Sequence, residues 1–247
     1  MLLFLQSLLF KQYSWSYVQK TLAGVSFFLK LHNQPSCFTF FSVQQALKGY
    51  KKNHFHKDRR LPITPLILEK ICSVASAICF SSFESILFRA VFSLAFFAAL
   101  RVSELNVIQV SDVFLSATTV KIFIRRSKTD QYGKGVWIEL FPCANQAICP
   151  VGLLQNYSQV RPPGGHNFFL HESGAPLTKY QFLCVFKKCL KALNLQDSHL
   201  TSHSFRIGAA TEAARLGLDT EFIKKVGRWR SNSYLLYVRP NHSFNSL

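Results

Sequence analysis

The chain has 247 residues, enough for one large domain or two smaller ones, each with a buried core. Apolar residues make up 49% of it, and this share excludes a mainly disordered protein. The formal net charge is +17, from 29 Lys and Arg against 12 Asp and Glu, and it is spread through both halves of the chain. A globular chain this basic is typical of proteins that bind a polyanion, either a nucleic acid or an anionic membrane surface.

The cysteines and the apolar runs narrow the possible classes of protein and of partner further. Seven scattered cysteines without a C-x-x-C pair favour reduced, mostly buried thiols in an intracellular protein, and they indicate no metal site. The initial MLLFLQSLLF lacks the basic region and cleavage site of a signal peptide. The run VFSLAFFAAL (91–100) is far shorter than the ~20 residues of a membrane span, so it predicts a buried helix. We therefore expect no membrane partner, and nucleic acid becomes the leading partner.

The first 50 residues carry helical patterns. Ser14 and Ser16 are placed to cap a helix through YVQKTLAGVSFFLKLH, where apolar residues recur at helical spacing: Val18, Leu22, Val25 and Leu29. Ser42 is placed to cap a shorter helix, VQQALKGYKK. These patterns predict a small helical module at residues 1–58.

A basic, polar run, KKNHFHKDRRLPITP (51–65), follows this module and is closed by two prolines. It predicts a linker between domains, with Thr64 capping the next helix and Pro65 at the first helical position. Its charges can aid nuclear import, but such a run is more often a solvated DNA contact. We assign DNA contacts to the following basic residues: Lys51, Lys52, Lys57, Arg59, Arg60 and, in the next domain, Arg126.

The second domain is predicted at residues 62–247. Its sequence is helical to about residue 109, and then TTVKIFIRR, the polar SKTDQYGKG and VWIELF predict a β-hairpin with a long basic loop that carries Lys128. A lysine in such a loop most often contacts phosphate or solvent. From Pro150 onward the pattern is helical again, with a loop at RPPGG. The expected fold is mainly α with a small antiparallel β-sheet (α+β).

The segment LTSHSFRIGAATEAARLGLDTEFIKKVGRW (200–229) is the most informative. Thr201 or Ser202 is placed to cap a helix on which His203 and Arg206 share one face near the positive end, where a phosphate is favoured. The small residues that follow, from Gly208, allow close helix packing.

The same segment also fits a helix-turn-helix DNA-binding module. A helix-turn-helix has a small residue, a turn residue and an apolar residue at fixed spacing. Here these positions are filled by Ala213, Gly217 and Ile223. Taken alone, the segment therefore leaves an enzyme and a non-catalytic binding module equally open.

The run FFAALRVSEL places Arg101 at the end of an apolar helix, next to Glu104. Burying an arginine alone is costly, so Arg101 needs a partner or a ligand, and Glu104 stands three residues on. On this segment alone, a structural ion pair and a functional one stay equally open.

Taken in order, LRVSEL, SKT, HSFR and a tyrosine after GRW resemble the motifs of the tyrosine recombinase (phage-integrase-like) family. SHSFRIGAAT and the GRW…Y–Y–R ending are most similar to the eukaryotic recombinases of DIRS-type retrotransposons. The resemblance covers nearly the whole chain. It implies a helical core-binding (SAM-like) DNA clamp, here short enough to suggest truncation, ahead of the catalytic domain. It further implies a mobile-element enzyme that acts in the nucleus on double-stranded DNA, as a homo-oligomer (tetramer) and without a cofactor.

The resemblance implies a transesterification in which a tyrosine attacks the scissile phosphate and forms a 3′-phosphotyrosyl link. It implies these catalytic residues: Arg101, Lys128, His203, Arg206, Trp229 and Tyr237. Arg101 and Arg206 would clamp the phosphate, with Glu104 orienting Arg101. His203 would act as base or hydrogen-bonding assistant, Lys128 would protonate the leaving 5′-oxygen, and Trp229 would pack beside the phosphate.

Two assignments near the end of the chain, the nucleophile and the His/Trp position, depend on the number of residues after Gly227. In the family the nucleophile lies ten residues after a glycine, and ten residues after Gly227 stands Tyr237, which leaves Tyr234 as a supporting residue. Arg228 occupies the family's His/Trp position after this glycine and Trp229 stands one later, and we assign the role to Trp229. The alternative function, a silent or domesticated DNA-binding protein, leaves Tyr237 and Lys128 without a role.

Overall fold

The computed structural model describes residues 2–54, 58–127, 130, 132–229 and 231–239. The chain divides into two compact units, Met1–Asp58 and Arg59–Leu247. Within the described ranges, no helix combines the length and the apolarity that crossing a membrane requires. All seven cysteines are free thiols, and four of them are buried: Cys37, Cys72, Cys149 and Cys189.

The first unit consists of α1 (Leu2–Phe10), α2 (Trp15–Leu31) and α3 (Phe41–His54), with a 3-10 turn at Cys37–Thr39. One face of each helix forms the small core, with these buried residues: Leu5, Leu8, Val18, Leu22, Cys37, Val43, Leu47 and Tyr50. Because these side chains recur at helical spacing, the three helices can bury one stripe each against the others.

Helix boundaries in this unit correct two expectations. Ser14 caps α2 as predicted, since its Oγ accepts a hydrogen bond from the Tyr17 amide at 3.3 Å. Ser42, in contrast, does not cap α3, because the helix begins one residue earlier at Phe41. The linker predicted from residue 51 was also placed too early, since α3 continues through His54. No proline stands between Phe41 and Pro62 to stop the helix, and charge alone does not end a helix.

The second unit is mainly helical with one small sheet, which confirms the expected fold class. Its helices are α4 (Pro65–Ile78), α5 (Ser82–Phe97), α6 (Val102–Leu105), α7 (Pro150–Val160), α8 (Lys179–Ala192), α9 (Ser204–Arg215) and α10 (Thr220–Gly227). Thr64 caps α4 as predicted, with Pro65 at its first position. Helix α5 is buried at the centre and packs against α4, α7 and α9.

The apolar centre of this unit is rich in aromatic contacts. Phe92 of α5 packs against Phe182 of α8 and Phe205 of α9 with ring centroids 5.2 and 5.7 Å apart. The buried helix predicted at 91–100 is confirmed only to Phe97, where α5 ends. Beyond it Ala99 adopts a left-handed backbone (φ +44°), so the chain turns sharply before Arg101.

The sheet is antiparallel, with strands β1 (Val113–Leu115), β2 (Val120–Ile124) and β3 (Val136–Leu140) in that order. The predicted hairpin corresponds to β2 and β3, which pair with Ile122 opposite Ile138. The third strand, β1, was not predicted, because three residues are too few to show alternation. Alternate residues of β2 face the core, as the pleat of a half-buried strand requires.

Helix α9 approaches the chain before α4 very closely. The Ile63 amide donates to the Ser204 carbonyl at 3.0 Å, and a Cβ on Gly208 would lie 1.9 Å from the Ile63 carbonyl oxygen. Glycine is therefore required at this position. The predicted cap was wrong, because His203 rather than Thr201 or Ser202 occupies the N-cap position. The Thr201 hydroxyl instead accepts from the His203 amide at 3.2 Å.

Candidate active site

The sequence predicted Arg101 at the end of the apolar helix, but α5 ends at Phe97 and Arg101 lies beyond it, at the N-cap of the short helix α6. The turn at Ala99 removes it from the buried helix and leaves its side chain 19% exposed. Its Nη1 donates to Oε1 of Glu104 at 2.5 Å, and its backbone amide donates to Oε2 at 2.9 Å. Glu104 thus holds both the side chain and the backbone of Arg101.

Glu104 is buried and has a second arginine partner. Nη2 of Arg228 donates to Oε2 of Glu104 at 2.7 Å. Burial acts to raise the pKa of Glu104, but the charge of Arg228 and the hydrogen bond and charge of Arg101 outweigh it. The pKa of Glu104 therefore lies below its ordinary value, and this carboxylate is ionised at neutral pH.

Arg206, on the first turn of α9, is fully buried. Its two terminal nitrogens donate to the carbonyls of Ala99 and Gly227, which fixes the plane of the guanidinium. Burial, together with the charges of Arg101 and Arg228, lowers the pKa of Arg206 to about 10. The group is still protonated at neutral pH, and its charge is held in place before any ligand arrives.

Trp229 lies against this arginine. The Arg206 guanidinium carbon is 4.6 Å from the Trp229 ring centroid, a cation–π distance. The indole packs on Gly227, where a Cβ would lie 1.7 Å from a ring atom, so only glycine leaves room for it. Among the described residues, the buried Nε1 of Trp229 has no hydrogen-bond partner. An indole N–H can only donate, so this atom is suited to an acceptor on a ligand.

Tyr237 and His203 meet at the edge of the same cluster. Nε2 of His203 lies 3.2 Å from the Tyr237 hydroxyl. The Tyr237 ring is 4.8 Å from the Trp229 ring and 5.4 Å from the Arg206 guanidinium carbon. Tyr237 is half-buried, and it directly follows a 3-10 helix, Asn232–Leu236. The structure therefore places a hydroxyl, an imidazole and a buried guanidinium around one point.

Tyr234 occupies a different environment. It is 8% exposed and packs in an apolar cluster with Ala210 of α9, Ile223 of α10 and Trp229. Lys224 lies 5.9 Å from its ring centroid. The spacing of Ala213 and Ile223 that also fits a helix-turn-helix is thus accounted for by packing, since both residues contact this cluster.

The assigned DNA contacts occupy several places. Lys51 and Lys52 are exposed on α3, and Arg59 and Arg126 are exposed in the second unit, where Arg60 is half-buried. Lys128 and Lys57 lie outside the described residues. A groove of about 560 Å³ runs along α10 to Trp229, and its lining includes Ser127, Asp130, Lys134, Lys224, Lys225 and Arg228.

The partners of Arg228 were not predicted from the sequence. Its guanidinium donates to the carbonyls of Ala98 (3.0 Å) and Ala99 (3.1 Å) as well as to Glu104. The sequence held one signal for such an interaction. The residue after a helix often has a left-handed backbone, and this position is usually glycine. Arg228 adopts that conformation (φ +58°), and a residue other than glycine at this position indicates that its side chain makes a specific interaction.

Comparisons with known proteins agree on one family. The profile described as "Phage integrase family" matches residues 64–242. The "Integrase/recombinase xerD homolog" of Selenomonas ruminantium is 29% identical over 194 residues, which are 73% of this chain and 55% of the relative. The chain thus spans about half the length of this curated relative.

Solved structures show the same fold. The Tn1549 transposon integrase in complex with circular intermediate DNA superimposes with a TM-score of 0.63 at 16% identity, over 98% of this chain and 80% of that one. A lambda integrase dimer bound to a COC′ core site gives 0.62 at 16% identity, over 95% of this chain and 62% of that one.

Proposed function

Because the chain belongs to the phage integrase family, we propose that it is a site-specific recombinase with Tyr237 as its nucleophile. It cuts and rejoins DNA through a covalent 3′-phosphotyrosyl intermediate. The observation that carries this proposal is the 3.2 Å contact between the Tyr237 hydroxyl and Nε2 of His203, beside the buried Arg206. A free phenol has a pKa near ~10 and needs a base to become a nucleophile at neutral pH. His203 is within reach to supply it.

The proposed step exchanges one phosphodiester for another. A bond forms between the Tyr237 oxygen and the scissile phosphorus while the bond from phosphorus to the 5′-oxygen breaks. The phenolic proton goes to His203, and the leaving 5′-oxygen takes a proton from Lys128. The reverse attack by a 5′-hydroxyl of another strand rejoins the DNA, so the bond energy is conserved throughout.

Charge stabilisation is the task of the arginines. The pentavalent transition state concentrates negative charge on the non-bridging oxygens, and Arg101 and Arg206 converge from different elements to bind them. The indole N–H of Trp229 adds a donor at the same point. Removing one preorganised donor of this kind typically costs about 10²–10³ in rate.

We propose double-stranded DNA as the partner, with the chain acting as a tetramer. Support comes from the net charge of +17 and from relatives solved on DNA, such as the lambda integrase dimer on its core site. Residues 1–58 serve as a DNA clamp, with Lys51 and Lys52 on the exposed side of α3. Lys57, Arg59, Arg60 and Arg126 supply further phosphate contacts.

We further propose that the enzyme belongs to a DIRS-type mobile element and acts in the nucleus. Support comes from SHSFRIGAAT and the GRW…Y–Y–R ending. Sequencing the DNA around the coding region tests the first part, because terminal or split repeats are expected there. A reporter fused to residues 45–65 tests the second, and a fusion that stays cytoplasmic would count against an import role.

Covalent trapping tests the central proposal. A set of nicked duplexes tiled across the flanking DNA serves as suicide substrates, because the short strand with the free 5′-hydroxyl diffuses away after attack. We expect a protein–DNA adduct that survives denaturation with the wild type and with Tyr234→Phe, but not with Tyr237→Phe. An adduct that persists in Tyr237→Phe would refute the assignment. DNA binding in a mobility-shift assay without any adduct would favour the silent DNA-binding protein.

A further inference from the structure

Arg228 is the third arginine of the site, and its Nη atoms are hydrogen-bonded to Glu104 and to backbone carbonyls. We propose that Arg228 is a positioning residue that neutralises Glu104, so that Arg101 and Arg206 keep two full positive charges for the phosphate. This inference rests on the proposed function, since it assigns a role within the same DNA-cleavage site.

Arg228 differs in its geometry from the two arginines proposed to bind the phosphate. Its side chain is only 5% exposed, compared with 19% for Arg101. Its Nη atoms donate to the carbonyls of Ala98 and Ala99 and to Oε2 of Glu104. Nη1 also donates to the carbonyl of Val226, so each Nη of Arg228 has two acceptors and keeps no hydrogen for a phosphate. Each Nη of Arg206, in contrast, donates to one carbonyl, which leaves it a hydrogen for the substrate. We therefore expect Arg228 to act on the reaction through its neighbours in the site.

Counting charges shows why Glu104 needs a second partner. The carboxylate is required to hold Arg101 through its side chain and its backbone amide. With Arg101 alone as its partner, it would cancel the charge that Arg101 offers to the substrate. Arg228 supplies the balancing charge through its contact with Glu104. The four side chains then carry three positive charges and one negative, a net +2 that matches the doubly negative pentavalent transition state.

Electrostatics of Glu104 support this arrangement. Burial acts to raise its pKa, and of the influences that lower the pKa, the charge of Arg228 is the largest and exceeds that of Arg101. The shared carbonyl of Ala99 links the arginines further, because both Arg206 and Arg228 donate to it. A change at Arg228 therefore reaches both phosphate-binding arginines.

Single-turnover cleavage of the suicide substrate tests the inference. Arg228→Met removes the charge and keeps the length of the side chain, and we expect cleavage to slow by about 10- to 100-fold. Adding Glu104→Gln to this variant restores the net +2, and we expect it to recover at least part of the lost rate. A merely structural tie between α10 and α6 predicts the opposite, because the double variant has lost still more of the contact.

Substrate charge provides a second readout. A methylphosphonate at the scissile position removes one negative charge from the phosphate, so the difference between wild type and Arg228→Met should shrink on it. The matched control is Arg215→Met, which breaks an exposed arginine–glutamate pair on α9 at 2.6 Å and should leave cleavage unchanged. Should Arg228→Met fail to fold, as judged by its circular dichroism melt, Arg228→Gln and its double variant carry the same test.

The outcomes are distinguishable. A wild type that forms no adduct refutes the proposed function itself. A wild type that forms one, with Arg228→Met equally fast, refutes only the role of Arg228. Equal slowing on phosphodiester and methylphosphonate, without recovery in the double variant, likewise overturns the electrostatic role.

Discussion

Replacing Gly208 by alanine should destabilise the second unit, although alanine is normally the better helix former. In an open helix this change gains about 0.5–1 kcal/mol. At Gly208, however, the new Cβ would lie 1.9 Å from the Ile63 carbonyl oxygen and 3.0 Å from a ring carbon of Phe96. Contacts under 3.0 Å are essentially never seen for a Cβ, so α9 and the chain at Ile63 must separate by about 1 Å.

The magnitude of the destabilisation depends on which atoms must move to make room for the new Cβ. Overpacking a core costs about 1–3 kcal/mol, and here the upper end applies because the obstacle is backbone and not a flexible side chain. The Ile63 amide also donates to the Ser204 carbonyl at 3.0 Å, and this bond would be strained by the same separation. Subtracting the helix-propensity gain leaves a net destabilisation of about 2 kcal/mol. Because His203 is at the N-cap of α9 and Arg206 lies on its first turn, DNA cleavage should slow as well.

Urea unfolding followed by tryptophan fluorescence measures this loss, because Trp137 and Trp229 lie in the second unit and Trp15 alone lies in the first. With a slope of about 2 kcal/mol per molar urea, the midpoint should fall by about 1 M. Gly152→Ala in α7 is the matched control, because the nearest atom to its new Cβ is 3.9 Å away. That variant should be as stable as the wild type or slightly more so. A Gly208→Ala protein as stable as the wild type would refute the close-approach argument.

Two further predictions concern ionisable groups. The pKa of Glu104 is depressed in the folded state, so its contribution to stability is present above its ordinary value of 4.5 and is lost as the pH falls through the folded-state pKa. The difference in unfolding free energy between wild type and Glu104→Gln should therefore narrow on acidification below about pH 4.5, as urea titrations at several pH values can measure; a constant difference would contradict the ion pairing. Burial raises the pKa of the Cys72 and Cys189 thiols to about 12, so iodoacetamide at pH 8 should modify neither in the folded protein, as read by mass spectrometry after digestion. Rapid labelling of either would show that the core at α4 and α8 opens.

Much of the fold could be predicted because local signals dominate it. Caps such as Ser14 and Thr64, and the alternation in β2 and β3, each act within a few residues. The errors occurred where local signals are weak or compete. β1 is too short to show a period, and the basic end of α3 was mistaken for a linker because its charges say nothing about backbone conformation.

The candidate site was predictable from the sequence only in part. Spacing from Gly227 favoured Tyr237 over Tyr234, and the structure places the Tyr237 hydroxyl beside His203. The roles of these residues in catalysis stay predictions until cleavage is measured. The turn at Ala99, which brings Arg101 out of the core, left no mark in the sequence, since alanine ordinarily continues a helix.

The order Gly227-Arg228-Trp229 shows why spacing alone could not decide between an arginine and a tryptophan beside the phosphate. Both residue types suit a phosphate, and both stand within one residue of the expected position. The deciding partner of Arg228 is Glu104, 124 residues earlier in the chain. A left-handed backbone at Arg228 directs its side chain to that carboxylate, and the missing side chain of Gly227 leaves space for the indole next to Arg206. The two residues therefore do not compete for one place: the Trp229 ring lies against Arg206, and Arg228 is paired with Glu104.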